Sequence, residues 1–510
     1  MFKAPKFDWL AGQVKKSGIV ASALLLMVLF PSQHVNAFCG FYVAKADVKL
    51  FNKTSQVILV RDGQKSIITM SSDFQGNVRD FAMVVPVPVV LQRHQIRIAD
   101  ASLFRTLDEY SGPRLVEYYD ENPCYQYLYE DAIPSMNIRS AAAEGDLESK
   151  VKSAKKNQVK IEAQYSVGEY DILLLSAKES GGLQRWLNEN GYKIPENASE
   201  VLEPYIKSNM KFFVVKVNLN EQEKLGFNEL RPLQIEFDSP KFMLPIRLGM
   251  ANANGDQDMI VYAFSKSGRV ECTNYRTAKI PTDRNVPLDV AGNFGPFYKA
   301  LFDRIWSRQK DAIFLEYAWN VTPSWGGMKC DPCVGPPPLT ADLNSAGVTW
   351  CNQNMGEQVY FTRLHVRYGR KYFPQDLLFQ ETPNRENFQG RYIITHPAVG
   401  DLSCREGQEY IYQLIKKRHR EVQNIASLTG WNTQKYSMYL SEYQSQLKDR
   451  DLKKNLNVPL LPISSDDMDK TGNNGLKTIF TLMLVALVLY IIYRLSPSME
   501  KSPIPETIRK

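Results

Sequence analysis

The chain is 510 residues long and carries a formal net charge of +7. Three of those charges fall in residues 1–37 and two in the tail from Arg494 onward, which leaves +2 for residues 38–493. A nearly neutral body excludes nucleic acid as a partner, since that needs a basic face. The span of about 440 residues between the two apolar ends exceeds what one hydrophobic core usually serves, so two lobes are expected.

Residues 1–37 read as an export signal. Lys3, Lys6, Lys15 and Lys16 make a basic start, residues 19–30 are apolar, and Val35-Asn36-Ala37 offers small residues for cleavage after Ala37. At the other end, residues 478–493 carry no charge, and sixteen helical residues cover about 24 Å. Lys477 and Arg494 flank this stretch and can snorkel to complete a span of the bilayer. A signal followed by one stop-transfer helix places the body outside and the tail inside, with the lipid bilayer as a partner.

Between the ends, residues 55–90 read as a three-stranded antiparallel meander. Residues 57–60 and 67–70 are apolar runs joined at Asp62-Gly63, and residues 81–85 form the third strand, ended by Pro86 and Pro88. Residues 139–160 are rich in Ala, Ser and Lys and read as a flexible basic linker. Strands are expected at 159–166, 170–176 and 211–218, and helices at 183–190 and 201–209. Residues 242–250, 259–264 and 270–275 suggest a second meander, turned at Asn254-Gly255 and Ser267-Gly268. The Asx spacing at Asn252, Asn254, Asp256 and Asp258 invites a calcium loop, but Ala263 stands where a bidentate Glu is needed, so a hairpin turn is preferred. Helical periodicity returns over 406–452, with Gly430 as the turn of a hairpin.

The fold class is therefore α+β, with antiparallel β-meanders, short helices, a membrane-proximal helical hairpin and a single C-terminal transmembrane helix. The expected organisation is a signal (1–37), a β-rich lobe (38–138), a linker (139–160), a second α+β lobe (161–404), a helical hairpin (405–454), a stalk (455–475), a transmembrane helix (476–495) and a cytoplasmic tail (496–510).

Several separated blocks carry a resemblance. FCGFYV at 38–43, VRDG and FAMVVPVPV at 60–63 and 81–89, VGEYDILLLSA at 167–177, LPIRLGM at 244–250, NYRT at 274–277, CDPC at 330–333 and FQGRYIITHP at 388–397 together resemble the bacterial domain of unknown function 2330 family. The similarity covers about residues 38–404. It implies a bacterial source and an exported location; the signal and stop-transfer segments then make this a single-pass protein of the plasma membrane with its bulk on the periplasmic or extracellular side. The family has no established activity, so it implies no catalytic residues.

The cysteines hold the most chemistry. Cys39, Cys124, Cys272, Cys330, Cys333, Cys351 and Cys404 all lie in the exterior segment, where disulfides persist. The Cys330–Cys333 CxxC is followed by Pro336, Pro337 and Pro338, which deny it the helix that would stabilise a reactive thiolate. A zinc site would need four ligands, of which Cys330, Cys333 and Cys351 supply three and His365 or Cys404 the fourth. Structural disulfides are the favoured reading, with one cysteine left over and with Cys351 and Cys404 as partners for the CxxC pair. No other catalytic motif is present, and no cofactor is expected. The tyrosines of 118–129 suit either a ligand groove or a half-buried strand. The KKRHR cluster at 416–420 suits either anionic headgroups or a solvated helix face. The sequence favours a non-enzymatic, membrane-tethered module that binds an envelope protein or glycan. The competing reading is an envelope enzyme, thiol-disulfide or metal-dependent, centred on CDPC.

Overall fold

The computed structural model describes residues 55–71, 81–125, 159–190, 198–218, 220–221, 230–251, 255–323, 336–352 and 357–456, together with the short strands Phe41–Ala44, Phe51–Asn52 and Phe74–Gln75. The predicted signal, transmembrane helix and tail lie outside the described residues, as do the linker except 159–160 and the stalk except 455–456. Among the described residues no helix is long and apolar enough to cross a membrane.

The fold is mixed α+β, built from several sheets and mostly short helices. Its centre is the strand Gln257–Ser265, QDMIVYAFS, in which every residue but Asp258 is buried. A strand apolar on both faces must be covered on both faces and paired on both edges. It pairs antiparallel with Tyr360–Tyr368 on one side and parallel with Ser55–Asp62 on the other. The nine-stranded sheet continues outward through Lys65–Met70, Leu233–Asp238 and Ile96–Ile98 at one end. At the other it runs through Ala312–Asn320 to Arg276–Lys279, with Phe388–Gln389 attached to Ala312–Asn320.

The Ser55–Asp62 and Lys65–Met70 hairpin forms as the sequence predicts, with Asp62 opposite Lys65 and Gly63 at φ 59° in the turn. The expected third strand does not join it. Phe81–Val87 enters a second, five-stranded sheet in the order Phe41–Ala44, Phe81–Val87, Lys211–Val217, Tyr170–Ala177, Val159–Val167. Leu233–Asp238 takes the vacant edge of the hairpin instead, setting Ile235 opposite Ile68. The second predicted meander is likewise dispersed. Met243–Leu244 and Val270–Cys272 both pair with Leu377–Glu381, while Gln257–Ser265 goes to the large sheet. Two-residue and three-residue runs have too few ladder bonds to hold a nine-residue buried strand, which takes longer partners.

Nor do the two expected lobes succeed one another along the chain. Both large sheets contain strands from before residue 139 and from residue 159 onward, because each sheet completes its buried faces only with strands from both segments. Parallel pairs also occur where only antiparallel ones were expected. Arg114–Tyr119 and Arg284–Asn285 both flank Arg391–His396 in parallel.

The two large sheets face each other across the main core. Met83, Val85, Ile172, Leu174 and Phe213 of the small sheet meet Val57, Leu59, Ile68, Met70 and Val261 of the large one. Full burial of such side chains contributes about 1.5–3 kcal/mol each. Period-two alternation sends Leu173, Leu175, Phe212 and Val214 to the opposite face, under the helices Ser180–Glu189 and Ala198–Lys207. On the large sheet the opposite face carries Ile58, Val60, Tyr262 and Phe361, covered by Ser102–Ser111 and Thr340–Ala346.

The predicted helical hairpin is half present. Arg405–Thr429 is one helix of 25 residues, ended by Gly430 at φ 76°. The chain does not return as a second long helix: a turn of 3-10 helix, Thr433–Tyr436, leads only into Ser437–Ser441. Polar Asn432, Thr433 and Gln434 leave no continuous apolar stripe there to bury. Residues 447 onward form a separate unit, which contains the short helix Arg450–Lys454, N-capped by the Asp449 carboxylate.

Candidate functional site: a buried charge cluster and an intersheet cleft

The cysteines are distributed differently from the sequence expectation. Cys124 and Cys404 form a disulfide (S–S 2.03 Å) that joins the segment after Arg114–Tyr119 to the start of the long helix. Cys404 is also that helix's N-cap, its Sγ accepting from Gly407 N at 3.2 Å. Cys404 is therefore not a partner for the CxxC pair. Cys272 is a buried thiol whose Sγ donates to Asn274 Oδ1 at 3.2 Å, and burial pushes its pKa up. Cys351 is half-buried, its Sγ donating to Val348 O at 3.3 Å, and burial raises it too. Cys39, Cys330 and Cys333 lie outside the described residues.

His365 is not available as a zinc ligand. Its Nδ1 lies 2.8 Å from Glu316 Oε1 and its Nε2 lies 3.3 Å from Asp258 Oδ1, so both ring nitrogens face carboxylates. Burial would lower the His365 pKa, but Glu316 and Asp258 outweigh it and raise it. An imidazolium donating from both nitrogens has no lone pair for a metal or for a proton in catalysis. Among the described residues no group of three or more His, Cys, Asp or Glu side chains is placed to hold a metal ion.

What His365 belongs to is a charge cluster that the sequence reading missed. Arg363, His365 and Arg367 occupy alternate positions of Tyr360–Tyr368 and so share one face of the large sheet. Glu316 meets them through a β-bulge. Phe314 pairs with His365 and Tyr317 with Arg363, while the register shift between Leu315 and Tyr317 leaves Glu316 as the extra residue. Its carboxylate, fully buried, accepts from Arg363 Nε at 2.5 Å, from His365 and from the Tyr298 hydroxyl. Burial pushes the Glu316 carboxyl up, but Arg363 and His365 reverse this and hold it at about 2.

The cluster extends to the covering helices. Arg363 Nη1 donates to Asp108 Oδ1 at 2.6 Å, on Ser102–Ser111, and Tyr262 OH donates to the same oxygen at 2.8 Å. Arg367 makes two bonds to Asp258, at 2.8 and 3.0 Å, and a third to Asp303 at 2.6 Å, on Phe294–Arg308. Asp258 is driven up by burial yet held well below the carboxylate range by His365 and Arg367. The cations all have carboxylate partners, so this arrangement fastens two helices to one sheet. The visible signal was RLHVR, three cations at period two inside an otherwise apolar strand.

A cleft of about 610 Å³ lies elsewhere, on the other face of the large sheet. Its floor is Ile68, Met70, Ile235 and Phe237, and its walls include Val85 to Pro88 and the end of the helix Ala198–Lys207. Apolar floor and small polar rim are the usual make-up of a small-molecule site, and the volume falls within their range of about 300–1,000 Å³.

The polar end of the cleft is a connected group. Asp376 Oδ1 accepts from Tyr205 OH at 2.6 Å and from the Ile246 and Arg247 amides at 2.9 and 3.1 Å. Asn274 Nδ2 donates to Asp376 O at 2.8 Å and lies 3.4 Å from Gln375 Oε1. Burial pushes the Asp376 carboxyl up. Lys241 and Arg247 also line the cleft, and neither side chain forms an ion pair among the described residues. No local sequence pattern announces this site, because its lining comes from segments more than 300 residues apart.

The remaining predicted features resolve as follows. Within KKRHR, Arg418 is buried, paired with Glu442 at 2.6 Å and set over the Tyr439 and Tyr443 rings at 4.1 and 4.4 Å. His419 is buried as well, so the cluster is neither a uniform solvated face nor a basic patch. Of the tyrosine run, Tyr118, Tyr119 and Tyr125 are exposed, and Tyr119 stacks on His396 with ring centroids 4.3 Å apart. In the Asx stretch, residues 252–254 lie outside the described residues, and Asp258 is committed to His365 and Arg367.

Fold and cleft together define a mixed α+β protein with a ligand-sized cleft between two facing sheets. The chain belongs to the DUF2330 family, described as an uncharacterized protein conserved in bacteria, whose family model matches residues 33–380. The match ends within the strand Leu377–Glu381, before the long helix and Cys404. No curated protein and no solved structure matches the chain.

Proposed function

We propose that this chain is a non-enzymatic binding module of the bacterial envelope, tethered by its C-terminal apolar segment, that takes a small ligand into the intersheet cleft. The observation that carries this reading is the cleft itself, whose lining combines an apolar floor with Lys241 and Arg247, two cations without ion-pair partners among the described residues. Lys241 is exposed and Arg247 half-buried, so both remain open to an anionic group that enters beside the apolar floor. The outward location rests on the export signal and stop-transfer segment read from the sequence. The Cys124–Cys404 disulfide supports it, since such bridges persist in oxidising compartments.

The test is equilibrium titration of the full-length protein with anilinonaphthalene sulfonate, a fluorophore with an apolar aromatic body and one anionic group. Saturable one-site binding to the wild type, lost in a cleft-filling Met243→Trp variant of unchanged circular dichroism, is the expected result. Non-saturable binding, or equal binding to both proteins, would overturn the reading. Exposure of the body outside the membrane is tested separately: protease added to spheroplasts should digest most of the chain.

A further inference from the structure

We propose that the cleft takes a single-chain aliphatic acid, with its carboxylate at Lys241 and Arg247 and its chain along Ile68, Met70, Ile235 and Phe237. The inference rests on the binding reading above and names the ligand's chemistry.

The first argument is the separation of polar from apolar lining. Ile68 and Ile235 are directly opposed across neighbouring strands, and Met70 and Phe237 stand two residues along on the same face. These four side chains are buried in the main core and present a continuous apolar floor with a single aromatic ring. Met70, unbranched and flexible, adapts to the shape of an aliphatic chain. The polar groups, by contrast, gather together: Arg247, Asn274, Gln375 and Asp376 are linked by hydrogen bonds of 2.8 to 3.4 Å. A ligand matching this surface is apolar along its length and polar at one end.

The second argument is charge. The charged residues lining the cleft are Lys241, Arg247 and Asp376, a surplus of one positive charge. Asp376 Oδ1 is already held by the Tyr205 hydroxyl and two backbone amides. Lys241 is exposed and Arg247 feels Asp376 only through space, so the cationic capacity open to a ligand lies with these two, and a monoanion balances the surplus. Asp376 Oδ2 has no hydrogen-bond partner among the described residues.

The test uses the full-length protein and three photoreactive probes of one chain length, each with an aliphatic diazirine: decanoic acid, decanol and decyltrimethylammonium. After irradiation, labelled peptides are mapped by mass spectrometry. The acid should label the Ile68–Met70 and Ile235–Phe237 segments at least about tenfold more than the alcohol, the ratio expected of a charge-assisted hydrogen bond. Unlabelled decanoate should compete. In a Lys241→Gln/Arg247→Gln double variant, labelling by the acid should fall to the level of the alcohol, while labelling by the alcohol stays unchanged and reports an intact cleft. Equal labelling by acid and alcohol, or stronger labelling by the ammonium, overturns the aliphatic-acid proposal and leaves the cleft as a binding site. Labelling of the cleft by none of the three overturns both.

Discussion

Glu316 and His365 meet at 2.8 Å, the one on a β-bulge and the other on the neighbouring strand, with the His365 ring laid flat on Phe302 at 3.7 Å between centroids. The bulge turns an acidic residue inward on a strand whose neighbours are almost all apolar, and the cations of the next strand are there to receive it. Removing the acid leaves Arg363 and His365 buried without it. Glu316→Ala should therefore destabilise the protein by about 3–5 kcal/mol, measured by denaturant unfolding of the full-length chain. A loss below 1 kcal/mol would show that the cluster does not hold the helices.

The same pair sets the pH dependence of stability. Glu316 titrates at about 2 in the fold, below the ordinary carboxylate value. Its contribution is complete above the unfolded value near ~4.5 and is lost as pH falls toward about 2. His365 is raised, so its contribution is complete below the unfolded value of about 6.5 and is lost as pH rises through the folded value. Melting temperature should thus be highest between about pH 5 and 6.5, and His365→Gln should flatten the alkaline side while leaving the acid side. An unaltered alkaline limb in that variant would remove His365 from the account.

The Cys124–Cys404 bridge closes a sequence separation of 280 residues. It also fixes the N-cap of the long helix, near Asn122, whose side-chain amide donates to Val399 O and Asp401 O at 2.9 and 3.1 Å. Cys404→Ser should lower stability by about 2–5 kcal/mol, the range for native bridges. Thermal melts with and without reductant check this: the wild type should lose stability on reduction and the variant should not respond at this bridge.

Arg418 and Arg420 stand two residues apart on one helix, but only Arg418 is buried. Arg418→Ala removes the pair to Glu442 and two aromatic contacts, at a cost of about 2 kcal/mol, whereas Arg420→Ala should change stability by less than about 0.5 kcal/mol. Equal losses in the two variants would refute the distinction.

Local order was legible in the chain. Gly63 set the first hairpin: the two-residue turn is Gly63-Gln64, one position along from the expected Asp62-Gly63, and Gly63 supplies the positive φ it needs. Helical spacing located Arg405–Thr429 and its Gly430 stop, and apolar runs located Val159–Val167, Tyr170–Ala177 and Lys211–Val217. Seven cysteines announced disulfide chemistry, and among the described residues Cys124 and Cys404 form a bridge. Side-chain periodicity fixes which face of an element is buried, and that information lies within a few residues of each position.

Partner choice is different in kind. That Leu233–Asp238 rather than Phe81–Val87 pairs with Lys65–Met70, and that Gln257–Ser265 lies parallel to Ser55–Asp62, depends on which long apolar strands remain to be covered once the others are placed. Cys404 finds Cys124 and not Cys351 because the parallel pair Arg114–Tyr119 and Arg391–His396 brings the ends of those strands together. Glu316 reaches Arg363 and His365 only through a bulge, and the cleft exists only where hairpin, helix end and loop converge. Those contacts join residues tens to hundreds of positions apart, and the packing of both sheets, not any local pattern, decides them.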